Sequence, residues 1–268
     1  MEKRTEADSL LKRLFQPNEK LSKNERLGIG IAWIILIVGG WELLHPPVLP
    51  SFTETIMAFG PLVTKQGIIG AWLGTMGLTL SAILFSAILA LIISYLFVIP
   101  AFRPLASAVT KLRYLSIIGL IVVFMLLLHA PGKVRLASLM FGIIPYMVTS
   151  MLSVILSREE GDYHYARTMG YTRWEVMWHV VIREPASDML EAVRQNLAIA
   201  FVMIITVESK IREGGGLGTL LYDVETRRAK YDEVFAIMLL VLATGILLDF
   251  LLLKINKSFF PHAFLKRK

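Results

Sequence analysis

Long apolar runs alternate with short polar segments along most of the chain. Six of these runs lack the period-two alternation of half-buried strands, and each is long enough as a helix to cross a bilayer core of about 30 Å. The pattern therefore predicts an all-α integral membrane protein with six transmembrane helices, at residues 28–44, 72–99, 105–129, 134–156, 189–207 and 234–255.

Prolines bound several of these predicted spans. Pro100 ends the second span, and the third begins after Pro104 and stops before Pro131, with residues 114–128 as its most apolar part. Pro145 lies inside the fourth span. The first apolar run is not followed by a small-residue cleavage site, so we interpret it as an uncleaved span rather than a signal peptide.

The overall composition supports the same class of protein. Hydrophobic residues make up 55% of the chain, charged residues 18%, and the mean hydropathy is +0.62. Because a soluble domain is about 45–50% apolar and about 25% charged, the composition argues against a soluble enzyme. The chain has no cysteine, which excludes disulfides, thiolate metal sites and cysteine nucleophiles.

The distribution of basic residues predicts the orientation in the membrane. The net charge is +7, and basic tails at residues 1–26 and 263–268 flank a predicted six-span domain at residues 27–262. The positive-inside rule places both tails in the cytoplasm, together with a loop at residues 157–188. This topology puts outside the turn that holds Lys133 and Arg135 and the loop at residues 208–233, although that loop contains five basic residues besides its six acidic ones.

The basic N-terminal tail has two readings. Its mixture of charged and apolar residues suits a short amphipathic helix on the inner leaflet, and equally a disordered basic tail. No aromatic-plus-basic repeat indicates nucleic-acid binding, so the membrane accounts for the positive charge.

The sequence contains no catalytic constellation and no predicted metal site. Its five histidines are scattered near span ends and in the 157–188 loop, and the glycine run 214–216 is not followed by the Lys-Ser/Thr of a P-loop. The chain is therefore not expected to bind ATP by that route.

Within the spans, Glu191 and Arg194 are three residues apart and can pair on one helix face. Arg194 is expected to anchor that span end by snorkelling.

The loop at residues 157–188 is more ordered than a linker requires. Residues 163–169 predict a short helix ended by Gly170 at positive φ, and Thr172 with Glu175 forms a capping box for a second helix over residues 174–182. Such an element either packs at the membrane interface, through Trp174 and Trp178, or docks a cytoplasmic partner. The residues themselves leave both readings open.

The stretch from Ala166 through Gly170 to Val176 resembles the EAA loop of ABC importer permeases, in which a coupling helix sits in a groove of the ATP-hydrolysing subunit. Glu208 at the end of the fifth span and the Gly-Leu-Gly loop that follows are similar to the taurine, alkanesulfonate and nitrate branch of that family, as are Gly245 and Asp249 in the last span. The similarity covers roughly residues 70–262.

Three positions depart from the family pattern. His164 stands at the leading Glu of the motif, Tyr165 at its first Ala, and Arg183 at its closing Pro, with Pro185 two residues later. Either the coupling surface has diverged together with its own ATPase, or the chain is one half of a heteromeric permease pair.

The resemblance implies a permease subunit of a binding-protein-dependent importer in the bacterial inner membrane, without enzymatic activity or a cofactor of its own. It implies a second permease copy or paralogue, two ABC ATPase subunits that bind ATP and Mg, and an external substrate-binding protein that delivers a small solute. An ATP-independent channel or carrier is an alternative, and so is a membrane scaffold that recruits a soluble partner.

The resemblance also assigns roles to residues. Coupling to the ATPase is expected at His164, Tyr165, Ala166, Arg167, Gly170, Tyr171, Arg173, Trp174 and Glu175, and an outer gate or binding-protein contact at Gly215, Gly216, Leu217 and Gly218. From the polar pattern inside the spans, we predict that the translocation path includes Pro145, Thr149, Ser153, Asn196 and Glu208. Hydroxyls and an amide suit a path with little fixed charge, and a kink used only for packing is the alternative reading of Pro145.

Overall fold

The computed structural model describes residues 21–261 and 263, which form helices joined by turns and contain no strand. This confirms the predicted all-α class. The chain divides into two compact units, Met1–Ala58 and Phe59–Lys268. The predictions for the N-terminal tail and the last basic residues fall mostly on residues 1–20 and 264–268, outside the described residues.

The first unit contains a long apolar helix and a short helix that folds back toward its end. These are α1, Lys23–Leu44, and α2, Phe52–Met57. Ser22 caps the start of α1. At the other end, the Glu42 carboxylate accepts hydrogen bonds from the backbone N–H and the hydroxyl of Thr53, at 3.0 and 2.8 Å. No α1 side chain is buried, so its apolar surface is free to face lipid.

The second unit contains the remaining helices. In chain order they are α3 Phe59–Lys65, α4 Ile68–Leu96, α5 Arg103–Lys111, α6 Ile117–Leu128, α7 Pro131–Leu156, α8 Glu160–Thr168, α9 Arg173–Val176, α10 Ala186–Gln195, α11 Leu197–Lys210, α12 Leu217–Tyr222 and α13 Tyr231–Phe259. Two π-helical segments, Met177–Arg183 and Asp223–Arg228, follow α9 and α12. The helices α1, α4, α7 and α13, and α10 with α11, are long and apolar enough to cross a membrane.

The core of the second unit lies along α4, α7 and α11. The buried positions of α4 recur every three or four residues and include small or hydroxyl-bearing side chains, namely Thr75, Thr79, Ala82, Ser86, Ala90 and Ser94. Small residues let helix backbones approach closely, which is the main source of packing energy where lipid removes the hydrophobic drive. The large side chains come from α7, where Leu139, Ile143 and Met147 are fully buried.

The third predicted span, residues 105–129, is not one continuous helix. Helix α5 and a 3₁₀ turn at Leu112–Tyr114 meet α6 at an angle of 108°. The charged residues Lys111 and Arg113 stand at the bend, and the Tyr146 hydroxyl of α7 donates to the Arg113 carbonyl at 3.3 Å. Lys111 and Arg113 interrupt the apolar run at this point, but the sequence pattern alone did not show that the chain turns there.

The glycine loop and the loop between α7 and α10 lie at opposite ends of the second unit. Pro131 at the start of α7 and Lys210 at the end of α11 line one cavity, so the glycine loop after α11 lies at that end. The loop between α7 and α10 leaves from the opposite end of the same helices.

Candidate functional site

The segment between α7 and α10 folds as two short helices on either side of Gly170. After α8, the Tyr171 N–H donates to the Ala166 carbonyl at 3.3 Å and the Gly170 N–H to the Arg167 carbonyl at 3.0 Å. This is the Schellman pattern, and it holds Gly170 at φ +86°, as predicted. A residue with a Cβ would be strained there.

The predicted capping box at the start of the second helix is present. The Thr172 hydroxyl accepts from the Glu175 N–H at 3.4 Å, and the Glu175 carboxylate accepts from the Thr172 N–H at 2.7 Å. The predicted second helix over residues 174–182 is present, but it is not one type of helix throughout. Only α9 is α-helical, and the chain widens into a π-helix before Pro185, with the Glu184 N–H bonded to the His179 carbonyl.

A small apolar core determines which side chains of this loop face outward. Ala166, Val176 and Val180 are buried against one another and against Tyr163, and burial raises the pKa of the Tyr163 phenol. Ala166 therefore packs inside the loop. The other eight predicted coupling residues are exposed, namely His164, Tyr165, Arg167, Gly170, Tyr171, Arg173, Trp174 and Glu175. We call these eight residues, with Met169 and Trp178, the coupling surface.

The coupling surface exposes large apolar side chains outside the predicted spans. Trp174 is 70% exposed and Tyr165 66% exposed, and Met169 and Trp178 are also exposed. Tyr171 stacks on His179 with ring centroids 5.0 Å apart, which orders one edge of the surface. Exposed aromatic side chains of this size are unusual on a purely solvated face.

The loop is attached to both flanking spans. The Arg158 guanidinium donates to the Asp188 carboxylate at 2.7 Å and lies 3.8 Å from Glu184, so the residues just after α7 are paired with the start of α10. The base of the loop is therefore linked to both α7 and α10.

The capping box predicts a titration that can be observed directly. The backbone and hydroxyl hydrogen bonds from Thr172 lower the pKa of the Glu175 carboxyl. Its contribution to loop stability is therefore present above the unfolded value of about 4.3 and is lost as pH falls through the lower folded value. We expect the Thr172 amide resonance in ¹⁵N-threonine-labelled protein to titrate with a midpoint below about 4.3. The titration should vanish in Glu175→Gln, and a midpoint at or above that value would contradict the structure.

The predicted path residues near Pro145 lie at two helix irregularities, Pro145 within α7 and Asn196 between α10 and α11. Pro145 lacks an N–H, and the Thr149 hydroxyl donates to its carbonyl at 2.7 Å. Asn196 separates α10 from α11, and its amide group donates to the Ala192 carbonyl at 2.7 Å and to the Ser150 hydroxyl at 3.0 Å. Ser150 thus connects the two irregularities, while Ser153 is exposed.

Glu208 lies at the other end of the unit, in a buried hydrogen-bond cluster. Its carboxylate accepts from the Thr75 hydroxyl of α4 at 2.9 Å and from the Gly218 N–H of α12 at 3.0 Å. The Thr75 hydroxyl in turn accepts from the Leu217 N–H at 2.8 Å. The side chain is 1% exposed, so Glu208 joins three helices rather than facing an open path.

The glycine loop is shaped to fit this carboxylate. A Cβ at Gly216, where φ is +115°, would meet the Glu208 carboxyl group, and a Cβ at Gly218 would meet the Ile205 carbonyl oxygen. The Arg135 guanidinium of α7 donates to the Gly215 carbonyl at 2.8 Å. The predicted gate residues 215–218 are therefore brought together with Glu208, one of the predicted path residues.

A third polar group is the triad of Glu191, Arg194 and Asp249, of which sequence reasoning predicted the first pair and missed the contact with Asp249. Arg194 binds Glu191 through two of its nitrogens, at 2.9 and 2.5 Å, and Asp249 of α13 at 2.5 Å. The three-residue spacing of Glu191 and Arg194 signalled the first pair. Arg194 does not simply anchor the span end, because it also bridges to a helix 55 residues later in the sequence.

Solved structures share this fold at low sequence identity. A chain of the MetNI methionine ABC transporter in inward-facing conformations superposes with a TM-score of 0.63 and 16% identity over 74% of this chain and 97% of that chain. An amino acid ABC transporter determined with histidines superposes with a TM-score of 0.58 and 16% identity over 76% of this chain and 95% of that chain. A bacterial ABC transporter that imports alginate superposes with a TM-score of 0.57 and 16% identity over 96% of this chain and 98% of that chain.

The sequence matches no protein-family model, and the search of curated proteins gives no significant match. The solved structures, by contrast, show that the chain shares the fold of the transmembrane subunits of ABC importers.

Proposed function

We propose that this chain is the transmembrane subunit of an ATP-driven importer and forms the translocation path for a small solute delivered by an external binding protein. The observation that carries the proposal is the coupling surface. It is an ordered, aromatic-rich element that protrudes between two spans, and Arg158 connects its base to α10. The shared fold with ABC importer subunits supports the same assignment.

In this proposal the chain performs no chemistry. Two separate ATPase subunits bind ATP and Mg and hydrolyse the nucleotide, and each contacts a coupling surface. When the ATPases close, α8 and α9 move as a body, because the apolar core of Ala166, Val176 and Val180 holds them together. The motion reaches α7 and α10 and alternates access between two permease copies, or between this chain and a paralogue.

The proposal includes a location and an orientation. We place the chain in a bacterial inner membrane with both termini and the coupling surface on the cytoplasmic side. The glycine loop then faces the external binding protein. Similarity of the loop residues favours the taurine, alkanesulfonate and nitrate branch.

Copurification of an ATPase tests the proposal. The tagged chain, purified from its native membrane in mild detergent, should carry a stoichiometric P-loop ATPase. Gly170→Val should lose the ATPase, because a β-branched residue cannot adopt φ +86° without strain and the Schellman turn would open. Gly161→Val is the matched control, since Gly161 lies within α8 with open space around it, and this variant should keep the partner.

A second variant separates docking from loop folding. Trp174→Ser removes an exposed ring without altering the backbone, and it should weaken ATPase copurification while the chain keeps its elution volume and melting temperature. If the folded wild-type chain purifies alone, or with a partner that lacks a P-loop, the importer proposal is wrong. Solute flux into liposomes without ATP would then indicate a channel or carrier.

A further inference from the structure

A cavity of about 550 Å³ lies where α6 and α11 end and α7 begins. Its apolar lining includes Met125, Val134 and Ile211. Its polar lining comes from the end of α6 and from three charged side chains at the end of α11 and just beyond it, namely His129, Lys210, Arg212 and Glu213. The volume is in the range of about 300–1,000 Å³ that is typical of ligand sites.

The cavity lies at the edge of the predicted spans rather than within them. His129 is the last residue of the third predicted span, and Val134 is the first residue of the fourth. Lys210 stands three residues after the fifth predicted span, about 4.5 Å further along the helix axis. The charged side chains are therefore placed at the depth of lipid headgroups.

The three charged side chains line the same cavity without pairing with one another. Among the described residues, the Lys210 ammonium and the Glu213 carboxylate take part in no hydrogen bond or ion pair. Arg212 lies over the Tyr222 ring, 4.9 Å from its centroid, and its guanidinium donates no hydrogen bond to another described residue. The ring contact holds the guanidinium in place and leaves its N–H donors available. The cavity thus presents two cations and one carboxylate with unused hydrogen-bonding capacity.

These cations belong to the basic residues that the predicted topology leaves unexplained. The positive-inside rule disfavours basic residues in outer segments, yet Arg135 precedes this cavity in the outer turn and Lys210 and Arg212 follow the fifth span. Arg135 has a partner within the chain, because it donates to the Gly215 carbonyl at 2.8 Å. Lys210 and the N–H groups of Arg212 have no such partner in the part of the chain that the structure describes, which points to a ligand from outside it.

An apolar face leads from this cavity along α6. Ile118, Val122 and Met125 recur at helical spacing, and each is at least 45% exposed. Met125 also lines the cavity. A ligand with its polar group in the cavity therefore has an adjoining surface on which acyl chains can lie.

We propose that this cavity binds the phosphoethanolamine headgroup of a phospholipid. The phosphate accepts hydrogen bonds from Lys210 and Arg212, the ammonium donates to Glu213, and the acyl chains lie along α6. Phosphatidylglycerol brings the phosphate but no cation for Glu213, and the methylated ammonium of phosphatidylcholine has no N–H to donate. The proposal does not depend on ATP-driven import, since it concerns equilibrium binding to this chain.

Native mass spectrometry of the full-length chain in detergent tests the proposal by lipid competition. Dioleoyl phosphatidylethanolamine, phosphatidylglycerol and phosphatidylcholine are added in equal amounts, and the first lipid bound is quantified. We expect phosphatidylethanolamine to exceed each of the others by about 3-fold or more, since a partly exposed ion pair is worth up to about a factor of five. A basic patch in which Glu213 plays no part would instead select phosphatidylglycerol, because this lipid alone of the three has a net negative charge.

Two variants identify the charged groups that bind the lipid. Glu213→Gln should remove the preference for phosphatidylethanolamine over phosphatidylglycerol. Lys210→Gln combined with Arg212→Gln should weaken the binding of all three lipids by about 3-fold or more. Each variant is accepted only with an unchanged elution profile.

Matched controls make the same chemical changes away from the cavity. Glu225→Gln is the control for Glu213→Gln, because Glu225 is also exposed in the loop after α11 but does not line the cavity. Lys65→Gln combined with Arg103→Gln is the control for the double variant, since Lys65 also ends a helix and Arg103 also lies over an aromatic ring. Both controls should bind lipid as wild type does.

A soluble competitor distinguishes a lipid from a free solute as the ligand. Glycerophosphoethanolamine carries the same headgroup without acyl chains. It should displace phosphatidylethanolamine only at more than about 10-fold higher concentration, because it lacks the chains that lie on α6.

Three results would overturn the proposal: a preference for phosphatidylglycerol, a preference for phosphatidylethanolamine that survives in Glu213→Gln, or displacement by glycerophosphoethanolamine at the concentration of the lipid. None of these results bears on the proposed import function, because no ATPase or external protein is present in the assay.

Discussion

Replacing Gly218 with alanine should lower the melting temperature of the detergent-solubilised chain by several degrees, corresponding to about 1–3 kcal/mol of destabilisation. The added Cβ would meet the backbone carbonyl of Ile205 and the Cβ of Glu208, and α11 cannot yield without breaking its own hydrogen bonds. The change also displaces the Gly218 N–H from the buried Glu208 carboxylate, which then loses one of its donors.

Gly245→Ala is the control for this substitution. It makes the same chemical change inside a helix, where the new Cβ would be in ordinary contact with the Phe201 ring at 3.9 Å. Alanine is favoured over glycine in a helix by about 0.5–1 kcal/mol, so this variant should melt at or above the wild-type temperature. Equal melting temperatures for Gly218→Ala and wild type would show that the close approach of α12 to α11 is not maintained in the membrane protein.

Replacing Arg194 with methionine should destabilise the chain by about 3 kcal/mol, at the lower end of the range for a broken buried ion pair because Asp249 is half exposed. Methionine keeps much of the length of the side chain but removes the guanidinium that binds both Glu191 and Asp249. The readout is the melting temperature in detergent, measured by loss of the monodisperse elution peak.

The double variant Arg194→Met with Asp249→Asn removes one carboxylate as well as the cation. It should recover part of the lost stability, because the repulsion between the two carboxylates is gone. If the double variant were no more stable than Arg194→Met, then packing of the arginine stem rather than charge balance would account for the loss.

The long apolar runs were sufficient to predict the class of protein and the approximate position of most spans. They missed the 108° bend within residues 105–129, although Lys111 and Arg113 interrupt the apolar run there. The helical spacing over residues 174–182 predicted a helix but not its type, which is π at Met177–Arg183. Hydrophobic periodicity reports which residues avoid water, and it does not report where the helix axis turns inside an apolar medium.

The local chemistry of the coupling loop was readable from the sequence because each signal acts over a few residues. Gly170 and the Thr172–Glu175 capping box are determined by backbone geometry and near-neighbour hydrogen bonds, and both are present. The burial of Ala166 was not readable. The motif placed it among the expected coupling residues, and the structure shows that it packs against Val176 and Val180.

By itself, the sequence determined that this is a helical membrane protein with an ordered, aromatic-rich loop between two spans, because apolar run length and capping are local properties. Only the tertiary structure decided that Glu208 is a junction between Thr75 and Gly218, that Ser150 connects Asn196 to the kinked α7, and that Arg194 is shared by Glu191 and Asp249. These partners lie between 10 and 133 residues apart, apart from the Glu191–Arg194 pair. Inside a membrane a polar group must find its partner within the protein, and helix packing rather than sequence spacing decides which partner it meets.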